Sequence, residues 1–363
     1  MPKESRLEPS IMTRAEAPAP DSVRIDTSIP HYWLDLVEDR RLDINDPTVV
    51  YPGFVDFCLR IYRWAENNFN TYDPDYVSGT GKHGKVRLVS DNWTDAYYFR
   101  FEKDYPLIMA STPYSNIGIQ ANYSILGASY SVDLNAAVTG RKSHHRKLGF
   151  SLSCARLYGE GYYWRNAGST TIRKFGTPEF GKLHDINFDG LDFKAFGALA
   201  FYVFNYKKFS YPAAYNLSNY QLRSAGSWIV GFTGTFYDCD FDFTRLPEAV
   251  RSQINIPYDN YRLDYNSLNL MGGYAYNWVI NRHFLFNVTT LPAIGVSFSF
   301  SKATAGRTED FSMALRQMLS LTYTNRQFFV NLTSSFHGNF WLTHQVGFMS
   351  MIENLQFSTG IRF

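Results

Sequence analysis

No stretch of this 363-residue sequence stays apolar for the roughly 20 residues that a membrane-spanning helix needs. The longest uninterrupted apolar run is Phe196 to Phe204. Any crossing of a bilayer must therefore be made by strands, in which only every second residue has to be apolar. Cysteine is scarce: Cys58, Cys154 and Cys239 lie far apart. No pair has metal-ligand spacing, so no metal site and no disulfide framework is expected, and the three read as small apolar side chains. The formal net charge of +2 gives no reason to expect nucleic acid as a partner. A phosphate loop is also missing. Gly79, Gly81 and Lys82 lack the full Gly-x-x-x-x-Gly-Lys-Ser/Thr spacing, and residues 70–82 read as a turn leading into a strand. Met1 to Pro30 carries Lys3, Arg6 and Arg14 but no apolar core of signal-peptide length. For an exported protein the expectation is then a lost or displaced start, or a mature form with an added Met.

What the sequence has in abundance is aromatic side chains, 17% of the chain, with 30 Phe, 26 Tyr and 7 Trp. They fall into segments that alternate with a period of two. In the closing LQFSTGIRF, Leu355, Phe357, Thr359, Ile361 and Phe363 share one parity, and Gln356, Ser358, Gly360 and Arg362 share the other. A strand sends successive side chains to opposite faces, so one face is apolar and the other polar. The same alternation recurs over 117–125, 128–138, 225–237, 268–280, 284–300, 311–323 and 328–340. One face for lipid and one for a water-filled interior is the pattern of a transmembrane β-barrel, with aromatic girdles at the interfaces. The run 193–204 is apolar on both faces, and Phe196, Tyr202 and Phe204 are expected to fill the interior.

Connections alternate as well. Ile280 to His283 and Thr324 to Gln327 are tight turns, whereas 165–190, 238–262 and 301–309 are long links. With both termini on one side the strand number is even, and the segments give about 12 strands, within a range of about 10 to 14 because 84–114 is ambiguous. The link 206–224 breaks this alternation, being long where a short turn is required. Residues 1–45, rich in Pro, Ser and charge, read as a disordered or extended leader. Residues 46–83 hold an amphipathic helix at 53–66, with Phe54, Phe57, Cys58, Ile61 and Trp64 at helical spacing, and a connecting segment. That helix is expected to cap one mouth of the barrel, the alternative being a plug. The barrel itself is assigned to 84–363.

Three stretches carry a family resemblance: NTYDPDYVSGTGK at 70–82, TPYSNIGIQANYSILGASYSVDL at 112–134 and FSYPAAYNLSNYQLRSAGSW at 209–228. Together they resemble an uncharacterised family of Bacteroidetes outer-membrane β-barrel proteins, domain of unknown function 4421. The resemblance covers roughly residues 50–363. It implies a barrel in the outer membrane and no particular activity, so it transfers no catalytic residue.

Parity turns Arg316, Asn331, His337, Asn339 and Arg362 inward, where they are expected to line the lumen. Leu355, Phe357, Ile361 and Phe363 are expected to face lipid on the strand that the barrel-assembly machinery reads. Ser335, His337 and Asn339 share one face of one strand, as a lipase or acyltransferase barrel would need, but stand about 7 Å apart and point inward; a polar lining explains them. Asp238, Asp240 and Asp242 at one rim suggest either a Ca²⁺ site or solvated acids. His144 and His145 sit in a basic turn, Arg141 to Lys147, suited to anionic headgroups. The expectation is a non-enzymatic outer-membrane barrel without cofactor, either a narrow channel for small solutes or an envelope scaffold. Its rival is a lipid-modifying enzyme. Partners are membrane lipid and the barrel-assembly machinery.

Overall fold

Strict alternation over long segments closes the sheet into a cylinder. The computed structural model describes residues 71–363 except 83, 102–104, 112, 124–125, 135–145, 168–169, 176–185, 252–258, 302–305, 326 and 343–346. It also describes 31–32, 36, 46, 49–53, 55–57, 59–61 and 64. The chain forms two units, Met1–Arg63 and Trp64–Phe363. In the first, His31–Tyr32 pairs in parallel with Val49–Val50. Residues 53, 55–57 and 59–61 are helical, and Asp56 pairs with Arg60 one turn later at 2.7 Å. Phe57 and Ile61, read in the sequence as a packing stripe, are exposed. Phe54 and Cys58 lie outside the described residues.

The second unit holds twelve antiparallel barrel strands. They are β1 (Gly84–Phe101), β2 (Tyr114–Tyr123), β3 (Leu126–Asp133), β4 (Arg146–Ser153), β5 (Leu157–Ala167), β6 (Leu191–Val203), β7 (Ala225–Asp242), β8 (Asn260–Val279), β9 (Phe284–Ser301), β10 (Gly306–Thr324), β11 (Phe328–Leu342) and β12 (Gly347–Arg362). Each pairs with the next, and β12 returns to β1 from Arg362↔Lys85 to Gly347↔Arg100. Closure leaves no unpaired edge in the ring, the condition for a sheet to stand in hydrocarbon. The ambiguous stretch near 84–114 has a simple cause: β1 changes partner along its length. Its first half pairs with β2. Its second half pairs with Tyr105–Ser111, which continues through Thr170–Phe175 to Ile186–Phe188 as a flap outside the ring.

Inside and outside follow parity. Trp228, Phe232, Leu268, Leu270, Phe311, Met313, Leu355, Phe357, Ile361 and Phe363 are exposed on the outer face. Asn269, Asn277, Asn287, Ser320, Thr322, Asn331 and Ser358 are buried on the inner one. The expectation for β6 is corrected here. Phe196 and Phe204 are exposed and point outward, with Tyr202 on the same parity, while Phe193, Leu199, Phe201 and Val203 are buried inside. A strand apolar on both faces carries no signal of which face is which, so its neighbours set its phase.

Tight turns gather at one end of the barrel, here the turn end, together with residue 84 and residue 363. At Asn281 the side-chain Oδ1 accepts from His283 N at 2.9 Å and Phe284 N at 3.0 Å. Asn325 repeats the arrangement with Gln327 N at 3.1 Å and Phe328 N at 2.8 Å. Asn favours such turns because its short amide bonds its own backbone. Replacing either Asn by Ala is expected to cost about 1–2 kcal/mol, measurable as a lower urea midpoint in detergent. An unchanged midpoint would mean that the turns do not depend on these amides.

Longer connections lie at the other, loop end. The expected long link 301–309 proves short, because β9 and β10 stay paired to Ser301↔Gly306. The rim acids are paired with cations on the outer face: Lys194 with Asp238 at 3.5 Å, and Arg262 with Asp238 at 3.3 Å and Asp264 at 3.2 Å. Asp242 pairs with Arg245 at 3.1 Å and also caps the turn at 243–245, accepting from Thr244 N at 3.1 Å. Among the described residues no cluster has the makings of a metal site. Of the basic turn, residues 141–145, His144 and His145 among them, lie outside the described residues, while Arg146 and Lys147 open β4.

Candidate functional site, a helical plug in the lumen

The link 204–224, too long for a turn, folds into the barrel. Its helix α1 (Tyr211–Tyr215) is buried at every residue. Ser210 caps it, its Oγ accepting from Ala213 N at 3.3 Å. Pro212 sits in the first turn, where its missing N–H costs nothing. Past the C-cap Asn216, Leu217 breaks the helix: its φ of 60° is left-handed and its N–H returns to Pro212 O at 2.6 Å. A left-handed Leu costs about 1–2 kcal/mol, and its complete burial and the groups around it hold it there.

A helix ends with unpaired carbonyls and a partial negative charge, and the barrel wall answers both. Ala214 O accepts from Ser320 Oγ at 2.8 Å, Asn331 Nδ2 at 3.2 Å and Thr322 Oγ1 at 3.3 Å. Arg87 Nη1 reaches Tyr215 O at 3.3 Å, Lys85 Nζ bonds Asn216 O, and Arg362 Nε reaches Leu217 O at 2.8 Å. Tyr215 donates its hydroxyl to Asn287 Oδ1 at 2.6 Å. Gln221 ties the plug together: its Oε1 accepts from Ser210 N and Asn277 Nδ2, both at 2.9 Å, and its Nε2 donates to Lys208 O at 2.6 Å and Arg223 O at 2.9 Å.

The segment before β1 locks onto the plug. Val77–Gly79 pairs antiparallel with Asn219–Gln221. Leu222 N bonds Tyr76 O at 2.7 Å, and Asp73 N bonds Lys207 O at 2.9 Å. Residues 77–79 therefore form a latch strand, and Gly81, with φ of 67°, turns the chain toward the barrel.

Above the plug lies a cavity of about 240 Å³, lined by Arg87, Glu160, Arg316, His337, Asn339 and Gln356 among others. Arg316 Nη2 pairs across the lumen with Glu160 Oε2 at 2.9 Å, and Tyr158 donates to the same oxygen at 3.0 Å. Packed rings roof the cavity on the loop side. Trp93 stands against Trp164 at 5.3 Å, Trp164 against Phe193 at 5.1 Å, and Phe193 against Tyr237 at 5.3 Å.

The residues singled out as lumen-lining thus fall into two groups. Asn331 and Arg362 seat the plug. Arg316, His337 and Asn339 border the cavity, where Asn339 Nδ2 donates to Tyr237 Oη at 2.8 Å. Ser335 borders the cavity too. Lys85, Arg87, Glu160 and Gln221 were missed by reading the sequence. The available signal was the overlong link itself, with Ser210 two residues before Pro212.

A closed antiparallel barrel with an apolar outer belt, a polar inner wall and an internal plug is a β-barrel membrane protein of the outer-membrane type. Residues 71–363 match the family described as a domain of unknown function (DUF4421), and the chain belongs to that family. No curated protein matches the sequence. Among solved structures, the outer-membrane protease OmpT of Escherichia coli is similar at 8% identity, covering 82% of this chain and 99% of its own, with a TM-score of 0.33. An outer-membrane channel of Pseudomonas putida F1 is similar at 9% identity, covering 78% and 97%, with a TM-score of 0.30. The outer-membrane channel DcaP of Acinetobacter baumannii is similar at 10% identity, covering 76% and 97%, with a TM-score of 0.19.

Proposed function

We propose that this protein is a non-enzymatic outer-membrane conduit for small solutes, held shut by its own plug. The observation that carries this reading is the chemistry of the seat. Under the plug the wall offers hydroxyls and amides, Ser320, Thr322, Asn331, Asn287 and Thr289, rather than a purely apolar bed. Burying polar groups is at best neutral against well-packed apolar ones. Such groups suit a surface that is covered in one state and wet in another. In this reading the turn end is periplasmic, and Leu355, Phe357, Ile361 and Phe363 contact lipid on the strand recognised by the barrel-assembly machinery. The lipid-modifying alternative draws no support from Ser335, His337 and Asn339, which open on the cavity and not on the lipid face.

Conductance in planar bilayers tests the conduit. The intact protein is expected to stay mostly closed. A variant in which residues 206–224 are replaced by a short Gly-Ser linker is expected to conduct steadily. A correctly folded variant of that kind without conductance overturns the reading.

A further inference from the structure

We propose that the opened lumen selects anions, a statement that rests on the conduit reading. It comes from three cations at the turn end. Lys85, Arg87 and Arg362 are each less than a tenth exposed, and Lys85 and Arg362 face each other in register across the β1–β12 pairing. Among the described residues none of the three has a carboxylate within ion-pair distance. Their partners are neutral oxygens. Lys85 bonds Asn216 O. Arg87 bonds Gln120 Oε1 at 2.8 Å and Tyr215 O at 3.3 Å. Arg362 bonds Leu217 O at 2.8 Å, Asn325 O at 2.9 Å and Thr324 Oγ1 at 2.9 Å.

In the plugged state the carbonyl end of α1 adds a partial negative charge of at most about half an elementary charge, and the Asp91 carboxylate, four residues along β1, acts on Arg87 from beyond ion-pair distance. Together they fall short of neutralising three cations. When the plug leaves, its carbonyls leave with it, and Lys85, Arg87 and Arg362 face water inside a low-dielectric wall. Like charges on such a wall focus the field along the path. The lining beside them, Ser320, Thr322 and Asn331, is uncharged. Further in, Arg316 is matched by Glu160, and Asp91 accepts from the Asn354 amide. Asp133 is buried in register with Asp91 through Asn116, and buried Asp95 stands nearer the loop end. From the turn end to the cavity the balance is four cations against three carboxylates, with Lys85, Arg87 and Arg362 outermost, so an entering solute meets a positive mouth. The two guanidinium forks suit carboxylate or phosphate groups.

The test is the reversal potential of the plug-deleted barrel in a tenfold KCl gradient across a planar bilayer. Full-length Gln221→Leu, which removes the plug's hydrogen-bond hub without touching the charged wall, serves as a second opened form. A potential displaced toward the chloride equilibrium value is expected. It should fall back several-fold toward zero when Lys85, Arg87 and Arg362 are all replaced by Gln in the plug-deleted barrel. An unselective or cation-preferring current overturns the inference while leaving the conduit intact. Absence of current in both opened forms overturns the conduit, and the inference with it.

Discussion

Glu160→Leu is expected to cost the barrel about 3–5 kcal/mol, because it strands the Arg316 guanidinium inside the lumen without its counter-charge. Arg316→Met should cost a similar amount by stranding Glu160. The double variant should recover most of either loss, since two apolar side chains of suitable volume replace a pair whose mutual attraction chiefly offsets their desolvation. Side-chain exposures of 11% for Arg316 and 26% for Glu160 leave some water at the pair, which places the single costs at the lower end of the range. Urea unfolding in lipid vesicles, followed by tryptophan fluorescence, measures all three. Strictly additive losses would mean that the two groups do not act as a pair.

Leu270→Arg should lower stability by about 2–4 kcal/mol and reduce insertion into vesicles, because it places a charge on the lipid face near mid-height of the apolar belt. The same strand provides its own control. Arg262 shares the parity and the outer face of Leu270, yet sits at the loop-end rim among Asp238 and Asp264. Arg262→Leu should change stability by less than about 1 kcal/mol, as exposed rim pairs contribute little. Equal effects at the two heights would mean that the outer face meets a uniform solvent, contrary to a membrane-spanning barrel.

Much of this architecture was readable from residue order alone, because the period of a strand is two and each clean alternation states which side is greasy. Strands such as 284–300 and 328–340 show their faces unaided. Three features resisted. The run 193–204 is apolar on both sides, so parity could not choose between Phe193 and Phe196. Strand β1 serves two neighbours in succession, which sequence spacing cannot reveal. A helix of five residues, Tyr211–Tyr215, is too short to display a helical period. Its traces are a connection of the wrong length and Ser210 two residues before Pro212, weaker than the helical spacing over 53–66. The inward direction of Arg362 and Asn331 was legible, but their partners were not, because those partners are backbone carbonyls of a segment folded inward from elsewhere in the chain.

The position of the basic cradle also bears on assembly. Lys85 and Arg87 stand on the first stave of the cylinder and Arg362 on the last, so the nest is completed only where the two ends of the wall meet. Until that seam zips, the carbonyl end of the stopper has no full complement of donors to receive it. Full seating of the stopper therefore requires the joined ring, and a seated stopper reports that the ring has been joined.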